Sequence, residues 1–242
     1  KDLDRVRRYQ RLLFTERFDG QRMRDQATML FRLGQGLLLP VGVGRLSPAQ
    51  FDDVGSELTY LLLRDECPEV TVEISPCGGW STSWILNALR DNECGHLTSF
   101  DVIDDSVFKV PPELAKGIRT FHHGDVRQSP HLPERIDFLF MDSDHTAPFA
   151  HWYVENVLPR VRSGGVVIVD DVFQPGGPAA SGGEGPVILD WLARNGIEYF
   201  TAAESQSRAT LDALLACKRR LGLESPVVDV QGVNPAIYFT MP

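Results

Sequence analysis

Three aspartates follow two apolar runs at a spacing that could assemble a cation site. The chain reads D-F-L-F-M-D-S-D-H-T at residues 137–146 and G-G-V-V-I-V-D-D-V at residues 164–172. If the two runs are neighbouring parallel strands, Asp142, Asp170 and Asp171 meet at one edge of a sheet, where their mutual repulsion favours a bound cation. An all-oxygen ligand set suits a hard ion such as Mg²⁺. Zinc held with the help of His145, and aspartates that only cap the following helices, are the alternatives.

His145 lies three residues after Asp142 and is expected to face the same edge. An imidazole with an ordinary pKa near 6.5 can accept a proton at neutral pH, so His145 is a candidate general base. A purely structural histidine is the alternative. We expect the neighbouring Asp144, His151 and Trp152 to serve packing, capping or solvation.

A glycine-bearing turn follows an earlier apolar run and could hold a second ligand. The sequence E-I-S-P-C-G-G-W-S-T, residues 73–82, leads from a predicted strand directly into a predicted helix. Such a turn allows a close approach to the backbone, and the helix N-terminus offers free N–H groups. The dinucleotide fingerprint G-x-G-x-x-G is not found in this turn, and tight packing alone is the other interpretation.

Two further acidic positions follow the next predicted strands. Asp101 stands at a strand end where nucleotide-type folds often bind ribose hydroxyls. Asp125 and Val126 lie in a G-D-V segment that could line an adenine ring. A solvated or capping aspartate is the alternative at residue 101, and no role is assigned to His122 or His123.

Strands and helices alternate after residue 69, which predicts a parallel sheet flanked by helices. A helix with its apolar face at Phe149, Tyr153 and Val157 separates the fourth and fifth strands, and a glycine- and proline-rich stretch, 173–186, is predicted to be a mobile surface loop. Helices are expected around 187–194 and 208–221. The predicted strands are 69–74, 97–102, 118–122, 136–141, 165–169, 197–201 and 236–240.

The first 66 residues carry helical patterns with no predicted strand between them. Apolar stripes recur at helical spacing near Val6 and near Leu30, and a third helix is predicted from Ser47 because S-P-A-Q resembles a capping box. We therefore predict an N-terminal helical cap, 1–66, followed by one α/β domain, 67–242.

Composition narrows the class of partner. The 242 residues carry a formal net charge of −9, which lacks the positive footprint that nucleic acid or anionic lipid requires. No apolar run approaches the roughly 18 residues expected of a membrane-spanning helix.

The four cysteines form no C-x-x-C pair, so reduced thiols and a cytoplasmic location are expected. The apolar faces of the N-terminal helices could pack either on the sheet or on a second subunit, so a homodimer is one of two expectations.

Taken in order, these motifs resemble the class I S-adenosylmethionine-dependent methyltransferases, specifically the metal-dependent O-methyltransferases of the catechol and caffeoyl-CoA types. The resemblance covers roughly residues 69–172. It implies a Rossmann-like, doubly wound α/β sheet that is mostly parallel with an antiparallel last strand. It also implies S-adenosylmethionine as cofactor, Mg²⁺ or another divalent cation, and a small-molecule acceptor with neighbouring oxygens, such as a catechol or a sugar or secondary-metabolite diol.

The resemblance assigns roles to individual positions. Segment 73–82 resembles the family's E-I-G-x-x-x-G-Y-S-T loop, with Trp80 in place of tyrosine and Ser75 in place of the first glycine. His145 stands where the catechol enzyme has its catalytic lysine. The resemblance implies cofactor contacts at Glu73, Ser75, Gly79, Ser81, Asp101, Asp125 and Val126, metal ligands at Asp142, Asp170 and Asp171, and catalytic roles for Asp142 and His145.

Two other functions fit the same sequence features. One is a metal-independent enzyme that uses the same cofactor for N- or C-methyl transfer or for other chemistry. The other is a binding domain without turnover, for which Ser75 in place of glycine is the hint.

Overall fold

Seven strands form one sheet in the computed structural model, which describes residues 53–173, 183–220 and 235–242. The strand order is β3-β2-β1-β4-β5-β7-β6. Strands β1 to β5 are parallel, and β7 runs antiparallel to both β5 and β6, as expected. The strands are β1 Val70–Ile74, β2 His96–Asp101, β3 Arg119–His123, β4 Ile136–Met141, β5 Val161–Val169, β6 Tyr199–Phe200 and β7 Ile237–Thr240.

Helices connect the strands and cover both faces of the sheet. Short 3₁₀ turns lie at Val126–Gln128 and Leu158–Arg160. Within the described residues no helix is long and apolar enough to cross a membrane. The α-helices are α1 Asp53–Glu66, α2 Trp80–Asn92, α3 Asp105–Lys109, α4 Pro112–Ala115, α5 Ala147–Asn156, α6 Glu184–Arg194 and α7 Glu204–Arg220.

Alternate residues of the central strands pack into two separate apolar layers. In β4, Phe138 and Phe140 belong to the layer that contains α1, α2 and α7, whereas Leu139 and Met141 belong to the layer that contains α5 and α6. The period of two in a strand sends successive side chains to opposite faces. Burial on both faces explains why the central strands read as continuous apolar runs.

Helix α1 is part of the core. Its apolar face includes the buried residues Leu58 and Leu61, and the Tyr60 ring packs edge-on against Trp84 of α2, with centroids 6.4 Å apart. The Trp80 indole N–H donates to Ser56 Oγ at 2.8 Å, which fixes the start of α2 against α1. The two earlier predicted helices and the Ser47 cap lie outside the described residues, and the division at residue 66 stays a prediction.

Several predicted boundaries move when tertiary contacts are present. The predicted loop 173–186 is shorter, because α6 begins at Glu184 and Pro186 sits in its first turn, where no backbone donor is needed. Phe173, at the start of that loop, is 3% exposed and donates its N–H to Pro235 O at 2.8 Å. Strand β6 has two residues rather than five, and Ser207 interrupts the helical backbone near the start of α7. Residues 174–182 lie outside the described residues.

The sheet order creates one place where ligands are expected. Strands β2 and β3 extend to one side of β1, and β4 extends to the other. Chain connections therefore leave the carboxyl ends of β1 and β4 in opposite directions, which opens a crevice at that edge. Every site residue predicted from the sequence lies near this edge or just beyond it.

Candidate active site

The turn after β1 has left-handed backbone at three positions. Ser75, Cys77 and Gly79 have φ values of 64°, 47° and 85°. The Ser75 N–H donates to Phe100 O at 2.8 Å, which ties the turn to the end of β2. A Cβ at Gly79 would lie 2.5 Å from Val110 Cγ2, so glycine is required there for space as well as for backbone conformation.

Glu73 lies beneath this turn and is fully buried. Its carboxylate accepts hydrogen bonds from Ser81 Oγ at 2.8 Å, from Thr82 Oγ1 at 2.8 and 2.9 Å, and from Ser99 Oγ at 2.9 Å. Burial raises the pKa of Glu73, while Arg119 and the three hydroxyls oppose that rise. Glu73 and Ser81 therefore hold β1, α2 and β2 together, and the Glu73 side chain positions the turn from below.

Asp101 joins the end of β2 to the same turn. One carboxylate oxygen accepts the Cys77 N–H at 2.8 Å, and the other accepts the Ile103 N–H at 3.1 Å. The residue is 6% exposed. Asp101 thus stands at the expected strand end, where its carboxylate also shapes the backbone around the crevice.

The G-D-V segment lies beside Asp101, since the Gly124 N–H donates to Asp101 O at 2.7 Å. The Asp125 carboxylate accepts hydrogen bonds from the Arg127 guanidinium, which lower the pKa of Asp125. Val126 is buried in the apolar layer with α5. The structure therefore brings Asp101 and Asp125 to adjacent strand ends, with Val126 behind them.

An acidic group lies at the ends of β4 and β5, next to the turn. The Asp142 N–H donates to Ile74 O at 3.2 Å, which places the acidic group directly beside the end of β1. Asp142, His145 and Asp171 each offer a ligand atom, and these atoms all lie within 4.8 Å of one another. Asp170 is adjacent but outside this three-residue group, and its carboxylate accepts the Asp171 N–H at 2.9 Å.

The group could hold a divalent cation, and it contains two of the three ligands that the resemblance implies, Asp142 and Asp171. Two carboxylates and one imidazole form the group, with His145 where the prediction had Asp170. An imidazole nitrogen suits Mn²⁺, Fe²⁺ or Zn²⁺ better than Mg²⁺, while the two carboxylates suit all four ions.

His145 is surrounded by carboxylates on both sides of its ring. Nε2 lies 3.4 Å from Asp142 Oδ1 and 3.5 Å from Asp171 Oδ2, and Nδ1 lies 2.8 Å from Glu184 Oε2. Burial by itself would lower the pKa of His145, but the hydrogen bonds to Asp142 and Glu184 raise it to about 10. In the metal-free protein the ring is therefore an imidazolium that neutralises part of the acidic group.

Glu184 is the functional candidate that sequence reasoning missed. It is 1% exposed, and its backbone N–H donates to His145 O at 2.8 Å. Gly183 forms an isolated bridge with Thr146 beside it. The sequence signal is weak, because Glu184 is one acid inside a glycine-rich stretch, 39 positions from its histidine partner.

The other polar residues near the site have local roles. Asp144 accepts the Thr146 N–H at 3.1 Å in the loop before α5. The His122 ring stacks between Phe100 and His131, and His123 Nε2 lies 2.9 Å from Val102 O. His151 is exposed, and Trp152 packs at the margin of the apolar layer with α5. The contacts of Asp144, His151 and Trp152 agree with the packing, capping or solvation expected of them, and no role is assigned to His122 or His123.

Residues 72–172 match the family model described as a methyltransferase domain. A search of curated protein sequences returned no match to this chain.

Solved structures of methyltransferases share the fold. An O-methyltransferase from Bacillus cereus in complex with SAH has a TM-score of 0.59 at 15% identity, covering 90% of this chain and 91% of that chain. An O-methyltransferase from Streptomyces achromogenes involved in tomaymycin synthesis, in complex with SAM, has a TM-score of 0.53 at 15% identity, covering 90% of each chain. An SAH-bound methyltransferase from Podospora anserina has a TM-score of 0.55 at 15% identity, covering 90% of this chain and 88% of that chain.

The seven-stranded sheet is the fold of these solved methyltransferases, and the residues matched by the family model include the turn after β1. Residues 72–172 therefore match a methyltransferase domain, and the described residues have the fold of the solved methyltransferase structures.

Proposed function

We propose that this protein is a metal-dependent O-methyltransferase that methylates a hydroxyl of a small molecule with neighbouring oxygens. The observation that carries the proposal is the group formed by Asp142, His145 and Asp171 at the strand edge beside the turn after β1. A methyl donor in that turn and an acceptor at the acidic group would be neighbours, as an in-line transfer requires.

The residues proposed to bind S-adenosylmethionine lie along the ends of β1, β2 and β3. The backbone of the turn, from Ser75 to Gly79, would face the methionine part of the cofactor. Asp101 would accept hydrogen bonds from the ribose hydroxyls, while Asp125 and Val126 would line the adenine. Glu73 and Ser81 would act from beneath the turn, because their hydrogen bond is made below it.

The cation would be held by Asp142 and Asp171 through oxygen and by His145 through Nε2, with Asp170 beside them. A divalent ion there would supply Lewis acidity that lowers the pKa of a bound hydroxyl, whose proton would pass to solvent as the oxygen takes the methyl group and S-adenosylhomocysteine is released. The two carboxylates fix where the acceptor's oxygens lie relative to the turn. The position of His145 supports a ligand role over the general-base role expected from the sequence, because both ring nitrogens already face carboxylates.

One observation favours a metal-independent alternative. A protonated His145 lies within salt-bridge distance of Asp142, Asp171 and Glu184, so a positive charge is already present among the acids. In that alternative the aspartates would orient the acceptor without a cation.

The proposal also covers the type of acceptor, the cellular location, the N-terminal segment and the oligomeric state. The acceptor is a metabolite-sized molecule rather than nucleic acid, the enzyme is cytoplasmic, and the N-terminal segment 1–66 shapes the acceptor pocket as a helical cap. A homodimer is proposed for the solution state.

The test combines cofactor binding with turnover. S-adenosylhomocysteine is titrated calorimetrically into the full chain with Mg²⁺, with Mn²⁺ and after chelation, and methyl transfer is then measured on matched catechols, vicinal diols and mono-ols. We expect cofactor binding in all three conditions and turnover only with metal and only on acceptors that have neighbouring oxygens.

Asp142→Asn tests the site against a matched control, Asp144→Asn. Asp144 is an exposed acid two residues away whose carboxylate caps a loop. We expect Asp142→Asn to abolish metal-dependent turnover with cofactor affinity retained, and Asp144→Asn to keep both. Full turnover in chelator would favour the metal-independent enzyme, and no cofactor binding by folded protein would overturn the proposal.

A further inference from the structure

A buried carboxylate that none of the proposed steps uses lies behind the candidate metal ligands. Glu184 is 1% exposed at the first position of α6, and the isolated carboxylate would be costly to bury. One of its oxygens, Oε2, lies 2.8 Å from His145 Nδ1. The other, Oε1, has no hydrogen-bond partner within the described part of the chain.

The contact with Nδ1 determines which way the His145 ring presents its other nitrogen. A carboxylate acceptor at Nδ1 keeps a proton on that atom, so Nε2 is the nitrogen left to face Asp142 and Asp171. Metal-binding histidines commonly donate their second ring N–H to a carboxylate, which orients the ring and makes the ligand nitrogen more basic.

The backbone around both residues holds the pair together. The Glu184 N–H donates to His145 O, and the Gly183 bridge to Thr146 brings the start of α6 against the loop that carries the histidine. His145 itself has a φ of 53°, an uncommon backbone conformation for a residue with a side chain. Two main-chain contacts and one side-chain contact thus fix the ring in place.

Tyr153 closes the far side of the carboxylate. Its ring is fully buried in α5, and its hydroxyl, like Glu184 Oε1, is without a hydrogen-bond partner among the described residues. Burial and then the nearby Glu184 carboxylate raise the pKa of Tyr153, so its hydroxyl keeps its proton. The surroundings of Glu184 are therefore closed to solvent, and the hydrogen bond to His145 is the polar contact that its carboxylate makes among the described residues.

We propose that Glu184 is a positioning residue that sets the ring orientation and the protonated nitrogen of His145, so that Nε2 completes the metal site with Asp142 and Asp171. This inference rests on the metal-dependent function proposed above. It links the start of α6 to the acidic group at the ends of β4 and β5.

The experiment measures Mn²⁺ binding by calorimetry in the presence of S-adenosylhomocysteine, using the full chain and the variant Glu184→Gln. The matched control is Asp190→Asn, which removes one negative charge from an exposed position of the same helix, where Asp190 pairs with Arg194. We expect the Kd for Mn²⁺ to rise about 10–100-fold in Glu184→Gln and to stay unchanged in Asp190→Asn. Affinity for S-adenosylhomocysteine should be the same in all three proteins.

A double-mutant cycle separates positioning from a merely structural role. If Glu184 acts through His145, Glu184→Gln has no further effect on Mn²⁺ affinity once His145→Gln is present. An equal loss in both backgrounds, or no loss in either, would overturn the inference while the metal site stands. Wild-type protein that binds S-adenosylhomocysteine but no Mn²⁺ would overturn the metal site and the role of Glu184 together.

A second variant covers the case in which Glu184→Gln does not fold. Glu184→Asp keeps the charge and shortens the side chain by one methylene, which withdraws the carboxylate from Nδ1. We expect a raised Kd for Mn²⁺ in this variant as well, and wild-type affinity would contradict the proposal.

Discussion

Individual residues at the candidate site hold backbone conformations that side chains disfavour. Ser75, His145 and Asp171 have φ values of 64°, 53° and 57°, and they follow β1, β4 and β5. A left-handed conformation costs a residue with a Cβ roughly 1–2 kcal/mol. Ser75, which stands where the resembled loop has glycine, adopts a left-handed conformation that glycine takes readily.

Gly79 is the residue in this turn that tolerates substitution least. In Gly79→Ala the new Cβ would lie 2.5 Å from Val110 Cγ2 at a φ of 85°, so we expect the free energy of unfolding to fall by about 1–3 kcal/mol. Denaturant titration measures this change. Gly78→Ala is the control, since a Cβ there meets only Lys109 Nζ at 4.0 Å. Equal stability of the two variants would contradict the explanation.

The raised pKa of His145 should make the stability of the metal-free protein depend on pH. Its folded pKa is raised from 6.5 to about 10, so its contribution to stability is fully present below pH 6.5 and is lost as pH rises through about 10. The difference in unfolding free energy between wild type and His145→Gln should therefore shrink between these two pH values. Denaturant titration in chelator measures it, with His151→Gln at an exposed histidine as the control. A difference that stayed constant or grew with pH would refute the assignment.

At the scale of elements, one buried carboxylate joins three strands and a helix. Glu73 of β1 accepts hydrogen bonds from hydroxyl groups of α2 and β2. The positive charge of Arg119 in β3 also favours the ionised form of the Glu73 carboxyl. Burial of a charge is tolerated only when hydrogen bonds and an opposite charge compensate for lost hydration. The alignment of β1, β2 and α2 therefore depends on these polar contacts as well as on apolar packing.

Thr82→Val tests this element-level contact without changing side-chain shape. Thr82 is fully buried, and its hydroxyl, a single donor, lies 2.9 and 2.8 Å from the two Glu73 carboxylate oxygens. Since hydrogen bonds to charged groups contribute about 1.5–3 kcal/mol, we expect a loss of that size in unfolding free energy. Thr120→Val, at an exposed position of β3, is the comparison and should change it far less. A neutral Thr82→Val variant would show that Glu73 is satisfied without this donor.

At the scale of the whole molecule, the sheet order determines where chemistry can occur. With β2 and β3 on one side of β1, and β4 and β5 on the other, the turn after β1 and the acidic group after β4 meet at one crevice. The Asp142 N–H to Ile74 O hydrogen bond makes this meeting direct. The proposed cofactor and metal sites are therefore neighbours, and each should be measurable without the other.

Cofactor binding should stabilise the whole domain by mass action. At a concentration of S-adenosylhomocysteine 100 times its Kd, the native state gains about 2.7 kcal/mol, and the gain should persist in chelator. Thermal unfolding at several ligand concentrations measures this shift. Adenine alone, at the same concentrations, is the control for weak binding. An unfolding midpoint unaffected by S-adenosylhomocysteine would contradict the proposed cofactor site.

The order of strands and helices, and the polar residues at their ends, follow from the local sequence pattern. Strand β4 matches its prediction at both ends, because an apolar run buried on both faces is bounded by polar residues. Strand β6 and the start of α6 were less predictable. Their limits depend on β7 pairing and on the contact with His145, which are distant in the chain.

The grouping of the acidic residues depends on contacts between elements that are distant in the chain. The sequence placed Asp142, Asp170 and Asp171 together from strand order, whereas the backbone after β5 brings Asp171 rather than Asp170 next to His145. Adjacent residues at a strand end point in different directions, so sequence position alone could not choose between them. Glu184 reaches His145 because α6 packs beside α5 at the carboxyl edge of the sheet, a long-range contact that no local pattern encodes.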